Sequence, residues 1–177
     1  MKEQNYNSNQ KMVNRAIGLK EKIIKQGMGH PDLIKGCSES EILKLEQEYN
    51  VVLPQSYKIF LENFGHGLGG GIMKEIDILY NDIFSLTNVI RNEILIDEGD
   101  PVLQDKAFVF TGRYNEQFMF FDASGLEQEP AIMYYMIDED SFRKIGDSIF
   151  DIIEGEVEDS LSIKRYREQN RRNLNRE

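Results

Sequence analysis

The chain has 177 residues, a formal net charge of −10 and a single cysteine, and 40% of its residues are hydrophobic. A chain of this length can bury one sizeable core without help from metals or disulfides. One cysteine excludes an internal disulfide, no apolar run approaches the roughly 18 residues of a membrane span, and the amino terminus lacks the apolar centre of a signal peptide. We therefore expect a cytoplasmic protein with no membrane partner.

The charge is unevenly distributed along the chain. Residues 36–163 carry a net charge of −18, whereas residues 1–35 and 164–177 carry +4 each. An acidic body repels nucleic-acid phosphates, and it favours cationic partners by raising their association rate and orienting the encounter. The alternative interpretation is that the charge serves solubility alone. Nucleic acid is therefore not an expected partner, and the Arg-rich tail would bind RNA weakly at best.

The first predicted element is an amino-terminal helix from Met12 to Gln26. Residues 1–10 are polar and are expected to fray. Apolar residues then recur at helical spacing. We interpret residues 1–35 as a helical extension packed on the body, with its basic face in solvent rather than on nucleic acid.

Two helices are predicted between Ser38 and Gly65. Ser38 with Glu41 three residues later has the form of a capping box, and Asn50 is a suitable stop. The second helix begins at Pro54, and Gly65 closes it as a C′ glycine would. One face of that helix carries four large side chains: Tyr57, Phe60, Leu61 and Phe64.

This segment resembles the amino-terminal signature of the SUKH superfamily, which includes cell-wall-assembly regulators and bacterial toxin-immunity proteins. A weaker resemblance continues to about Gly155, which implies a SUKH-like α+β domain over residues 36–155. Family members often carry a tryptophan soon after the glycine, and this chain has none. The residues that match the signature are Ser38, Glu41, Ile42, Leu45, Glu46, Leu53, Pro54, Tyr57, Phe60, Leu61 and Gly65.

A glycine-rich stretch follows the second helix. Gly65, Gly67 and Gly70 satisfy the G-x-G-x-x-G spacing, but a dinucleotide fingerprint needs a strand before it and a helix after it. Here a helix precedes, and a strand is predicted at Ile72–Tyr80. We interpret the stretch as a flexible turn and His66 as an exposed turn residue.

The second half of the chain changes from helical to strand-like periodicity. After a predicted helix at Ser85–Ile96, three runs with short links predict an antiparallel meander: Ala107–Thr111, Gln117–Asp122 and Ala131–Ile137. Aromatic residues on one face are interpreted as sheet core rather than as a ligand-stacking platform. The fold class is therefore α+β, a mainly antiparallel sheet of about four to five strands packed with amino- and carboxy-terminal helices.

Nine acidic and two basic residues lie between Asp138 and Asp159. The spacing of a calcium-binding EF-hand loop is absent. A closing helix is predicted from Ser141 or Asp147 to Ile153, and residues 156–177 are expected to form a polar Arg-rich tail or helix. The acidic run is interpreted either as a solvated helix face or as an electrostatic docking patch.

The sequence contains no motif that carries chemistry. It lacks H-E-x-x-H, C-x-x-C, G-x-S-x-G and the phosphate loop with lysine. Cys37 has His30 nearby in sequence, but a predicted loop with Pro31 separates them. We predict no catalytic, cofactor or metal site, and a binding protein rather than an enzyme.

The SUKH resemblance implies an immunity protein whose partner is a cognate protein toxin, often a nuclease, with a basic surface. Carboxylates would occupy the cleft that otherwise binds nucleic acid. The alternative is an intracellular interaction scaffold or regulator resembling the cell-wall regulators. The predicted partner-binding residues are Asp138, Glu139, Asp140, Asp147 and Asp151, with Tyr134 as an aromatic anchor.

Overall fold

The computed structural model describes residues 2–90, 101–137 and 139–174, and it has the predicted α+β architecture. The helices are α1 (Lys2–Lys25), α2 (Glu39–Tyr49), α3 (Gln55–Phe64), α4 (Tyr80–Val89) and α5 (Ile149–Leu174). The strands are β1 (Ile34–Lys35), β2 (Gly67–Leu68), β3 (Ala107–Arg113), β4 (Gln117–Asp122), β5 (Ile132–Met136) and β6 (Arg143–Gly146). An antiparallel sheet has the order β3-β4-β5-β6, and β1 pairs with β2 separately.

Each face of the four-stranded sheet carries its own hydrophobic core. On one face, Phe108, Phe110 and Phe121 belong to a large cluster that includes buried side chains of α1, α3 and α5. On the other face, a smaller cluster includes Leu86 and Ile90. The predicted aromatic set belongs to this second core: Phe118, Phe120, Met133 and Tyr135.

The predicted capping of α2 is confirmed in detail. The Ser38 side chain accepts from the Glu41 amide, the Glu41 carboxylate accepts from the Ser38 amide, and Asn50 adopts the left-handed conformation with φ 50°. Gly65, in contrast, is not a left-handed C′ residue, since its φ is −56°. A Cβ at this position would lie well inside 3.0 Å of Cys37 Sγ. Gly65 is therefore required for space, because Cys37 packs against its Cα.

The predicted strand at Ile72–Tyr80 is wrong. This segment forms turns, with one isolated bridge between Asp77 and Gly112, and α4 already begins at Tyr80. Its apolar residues are buried as parts of the first core rather than as a sheet strand. The predicted helix at Ser85–Ile96 is found as far as Val89, and residues 91–100 lie outside the described part of the chain.

The terminal helices are longer than the sequence predicts. Helix α1 begins at Lys2, although residues 1–10 were expected to fray. Helix α5 begins after β6 and passes through Gly155, because Val157 and Leu161 continue its buried face. Among the described residues, no helix is both long enough and apolar enough to span a bilayer.

Candidate protein-binding surface

The predicted binding residues lie around β6, at one edge of the four-stranded sheet. Glu139 and Asp140 lie in the connection from β5 to β6, Asp147 lies between β6 and α5, and Asp151 is in the first turn of α5. Asp138 lies outside the described residues. A four-residue strand is roughly 10 Å long, so Asp140 and Asp147 flank a short segment with acidic groups at both ends.

Asp151 is engaged by an arginine of α1. Its Oδ1 accepts from Arg15 Nη2 at 2.7 Å, and its Oδ2 accepts from the Asp147 amide at 3.1 Å. Arg15 also donates to both carboxylate oxygens of Glu154, at 2.9 Å each, and lies 5.3 Å from the Phe150 ring centroid. These hydrogen bonds raise the pKa of Arg15, with Glu154 the largest cause. Asp151 therefore holds α5 against α1.

The β6 edge carries both signs of charge. Arg143 Nη2 lies 3.9 Å from Glu139 Oε1, and Lys144 forms an ion pair with Asp147. The hydrogen bond with Asp147 is the largest cause of the raised pKa of Lys144, and the charge of Glu127 also contributes. Cationic residues on an edge strand also oppose pairing with other chains. The predicted acidic patch is thus a mixed surface.

Two exposed carboxylates at this edge form no direct ion pair with another described residue. Within the described part of the chain, no lysine, arginine or histidine nitrogen lies within 4.0 Å of Asp140 or Glu127. Glu127 was not among the predicted binding residues. Its approach to Lys144 depends on the fold, so local sequence carries no signal for it.

Tyr134 is buried, with 8% of its surface exposed. It pairs with Arg143 in the β5–β6 register, and the guanidinium carbon lies 4.4 Å from the ring centroid. A partner would meet the guanidinium before the aromatic ring. The assignment of Tyr134 as an anchor therefore stays a prediction that requires Arg143 to move.

A second cluster of polar side chains lies where α2 begins and α3 ends. Cys37, Glu41 and His66 each offer a donor atom, and these atoms lie within 4.8 Å of one another. His66 Nε2 and Glu41 Oε1 are 2.8 Å apart. The His66 ring meets the edge of the Tyr80 ring at 5.3 Å between centroids, and Tyr80 Oη donates to the Glu41 carbonyl.

The pairing of β1 with β2 creates this cluster. The His66 amide donates to the Lys35 carbonyl at 2.8 Å, and this brings His66 to Glu41, 25 residues earlier in the chain. His66 lies in a turn as predicted, but it is only partly exposed, because 31% of its side chain is accessible. His66, rather than His30, is the histidine beside Cys37.

The environment of Cys37 opposes a nucleophilic role. Burial raises the pKa of the Cys37 thiol to about 12, and the negative charge of Glu41 adds to the shift. A reactive cysteine needs the opposite, an electropositive setting that favours the thiolate. The contacts of this cluster therefore give no support to cysteine-based catalysis.

Residues 36–155 match the model of the SMI1 / KNR4 family (SUKH-1). The chain belongs to the SUKH-1 family. The match begins before α2 and ends in the second turn of α5, so it includes the β6 edge and the Cys37 cluster. The family includes toxin-immunity proteins. A search of curated proteins finds no matching relative.

This SUKH-1 protein completes its core with helices that extend beyond the matched residues. Met12, Ala16, Leu19 and Ile23 of α1 are buried in the first core cluster, as are Val157 and Leu161 of α5. Charged side chains also join the two helices: Lys22 pairs with Glu158, and Lys164 donates to the Gln26 carbonyl at 2.6 Å. Thus Arg15 and Lys22 of the basic face of α1 are paired with α5.

Proposed function

We propose that this SUKH-1 protein is an immunity protein, which binds and neutralises a cognate protein toxin. The observation that carries the proposal is membership of a family that includes toxin-immunity proteins. A cytoplasmic location and action by binding rather than by catalysis are parts of the same proposal. The protonated state favoured at Cys37 agrees with a role that requires no nucleophile.

The charge of the chain favours a toxin with a basic surface, such as the phosphate-binding cleft of a nuclease. Residues 36–163 carry a net charge of −18, which would speed encounter with such a surface. Carboxylates seated in the cleft would take the place of nucleic-acid phosphates. Inhibition then follows from occupancy of the substrate site.

The acidic residues of the β6 edge would serve this role to different extents. Asp140 and Glu127 are exposed and form no ion pair within 4.0 Å among the described residues, although the charge of Glu127 helps to raise the pKa of Lys144. Both carboxylates are therefore accessible to a cationic partner. Glu139 and Asp147 have exposed internal partners, and such pairs contribute little to stability in water, so exchange for a toxin cation costs little. Asp151 would stay with Arg15 and orient its neighbours.

The direct test is co-expression of this chain with the product of the adjacent gene. The expected result is survival of a host that the neighbour alone kills, together with a complex that co-purifies. A neighbour that is harmless, or that kills regardless of this chain, would contradict the immunity proposal. The scaffold or regulator function would then take its place.

A second experiment tests the binding surface separately. The double variant Asp140→Lys with Glu127→Lys should slow toxin association by about 10-fold, because electrostatic steering contributes on this scale. A matched double variant, Glu48→Lys with Glu62→Lys, makes the same change of net charge at exposed positions on α2 and α3. It should slow association much less. Equal slowing by both would refute the surface assignment while leaving the immunity function intact.

A further inference from the structure

We propose that Cys37, Glu41 and His66 form a zinc-binding site. Their donor atoms are a thiol sulfur, a carboxylate oxygen and an imidazole nitrogen, and all lie within 4.8 Å of one another. The three residues come from the segment before α2, the first turn of α2 and the segment after α3. This site is independent of the proposed immunity function, and its test requires no toxin.

The distances between the three ligand atoms fit tetrahedral coordination of one zinc ion after a small adjustment. Zinc binds nitrogen and oxygen at about 2.0–2.1 Å and sulfur at about 2.3 Å, which places ligand atoms roughly 3.3–3.6 Å apart. His66 Nε2 and Glu41 Oε1 would separate slightly from their present 2.8 Å. The sulfur, at most 4.8 Å from the other two donors, would approach them by up to about 1.2 Å through rotation of the Cys37 side chain. Zinc would displace the thiol proton to solvent.

Neighbouring groups hold Glu41 and Cys37 in place. Glu41 Oε2 accepts from the Ser38 amide and hydroxyl at 2.8 Å each, which leaves Oε1 directed at His66. The Cys37 amide donates to the Leu61 carbonyl at 2.8 Å, and Gly65 leaves room for the sulfur. Such supporting contacts orient ligands in metal sites, and their loss typically weakens metal binding by about 10–100-fold.

The donor set selects the class of metal. Ca²⁺ and Mg²⁺ prefer oxygen ligands alone, which a cysteine does not provide. Cu⁺ favours thiolate and thioether ligands, whereas a carboxylate suits harder ions. A mixture of sulfur, nitrogen and oxygen is typical of Zn²⁺. The thiolate and the carboxylate would together balance its two positive charges.

The site leaves one coordination position for a water molecule. Among the described residues three protein donors converge, and the side chains of His66 and Glu41 are 31% and 35% exposed, so solvent has access. Three protein ligands with one open position distinguish such sites from closed, purely structural ones. A bound ion would also connect the start of α2 to the chain after α3.

Metal binding to the purified, chelator-treated full chain tests the proposal. We expect saturable binding of one Zn²⁺ and, with Co²⁺ as a spectroscopic substitute, a sulfur-to-cobalt charge-transfer band. At a Zn²⁺ concentration 100 times the Kd, the Tm should rise by roughly 5–10 °C. Cys37→Ser should abolish the charge-transfer band and weaken Zn²⁺ binding by at least about 100-fold, since a ligand matters more than its supporting contacts.

Two further variants control for misfolding and for metal binding elsewhere on the chain. His66→Gln changes a partly exposed side chain, should fold, and should weaken Zn²⁺ binding as Cys37→Ser does. His30→Gln removes the other histidine of the chain, which is exposed beside Asp32, and should leave binding unchanged. The proposal is overturned if the wild type does not bind Zn²⁺, if folded His66→Gln binds as tightly as wild type, or if His30→Gln loses the ion.

Discussion

Alanine at Gly65 and at Gly155 should change stability in opposite directions, although both glycines have right-handed helical backbone. Gly65 has φ −56°, and Gly155 lies inside α5. Backbone entropy alone predicts that alanine stabilises each site by about 0.5–1 kcal/mol. A Cβ at Gly155 meets nothing within 4 Å, so this gain should be realised there.

At Gly65 the steric clash outweighs the entropy gain. The new Cβ would lie well inside 3.0 Å of Cys37 Sγ and 2.8 Å from the Leu61 carbonyl oxygen. Retreat of the sulfur from this Cβ would displace neighbouring core side chains, since Cys37 is buried and its backbone is held by the hydrogen bond to Leu61. Overpacking of this kind costs about 1–3 kcal/mol. We expect Gly65→Ala to lower the free energy of unfolding by about 2 kcal/mol.

The assay is urea unfolding at neutral pH with a chelator present, so that bound metal does not contribute. The two variants should differ by roughly 3 kcal/mol at unchanged m-value, equivalent to about 6–12 °C in Tm. Cys37→Ala should cost less in the Gly65→Ala background than in the wild type, because it removes the clashing sulfur. Wild-type or higher stability of Gly65→Ala would refute the packing argument.

Three other perturbations have defined outcomes. Arg15→Met should lower the unfolding free energy by about 1–2 kcal/mol, whereas Lys11→Met, an exposed change on the same helix, should leave it within about 0.5 kcal/mol in urea unfolding. Tyr57→Phe should raise the Tm, because the buried Tyr57 hydroxyl has no hydrogen-bond partner among the described residues; a lower Tm would contradict this. Lys22 lowers the pKa of Glu158, chiefly through a hydrogen bond. That contribution is present above the unfolded pKa of about 4.5 and is lost as pH falls below it, so wild type should lose stability faster than Glu158→Gln across this range; parallel acid titrations would refute it.

Local sequence was sufficient for the elements with strong internal signals. The α2 capping box involves residues three apart, and the aromatic face of α3 follows from i, i+3, i+4 spacing. Strands β3, β4 and β5 follow one another along the chain as the three predicted runs do, and neighbours along the chain are also neighbours in the sheet. The family was recognisable for the same reason, because its signature lies in these local segments.

Local sequence predicted the wrong structure for segments that pack against residues distant in the chain. Ile72–Tyr80 has a strand-like composition, but its apolar side chains pack into a core formed by other elements. Helix α5 passes Gly155 because Val157 and Leu161 are buried beyond it. The conformation of each segment depended on which distant surfaces were available to bury it.

The tertiary structure alone decided which polar groups meet. Glu41 and His66 are 25 residues apart and join only because β1 pairs with β2. Arg15 and Glu154 are 139 residues apart, and their contact neutralises part of the acidic segment that the sequence presents as free charge. The sequence by itself determined the local helices and strands, since these depend on short-range sterics and periodicity. Charge pairing and donor clustering depend on distances in space, which only the packed chain defines.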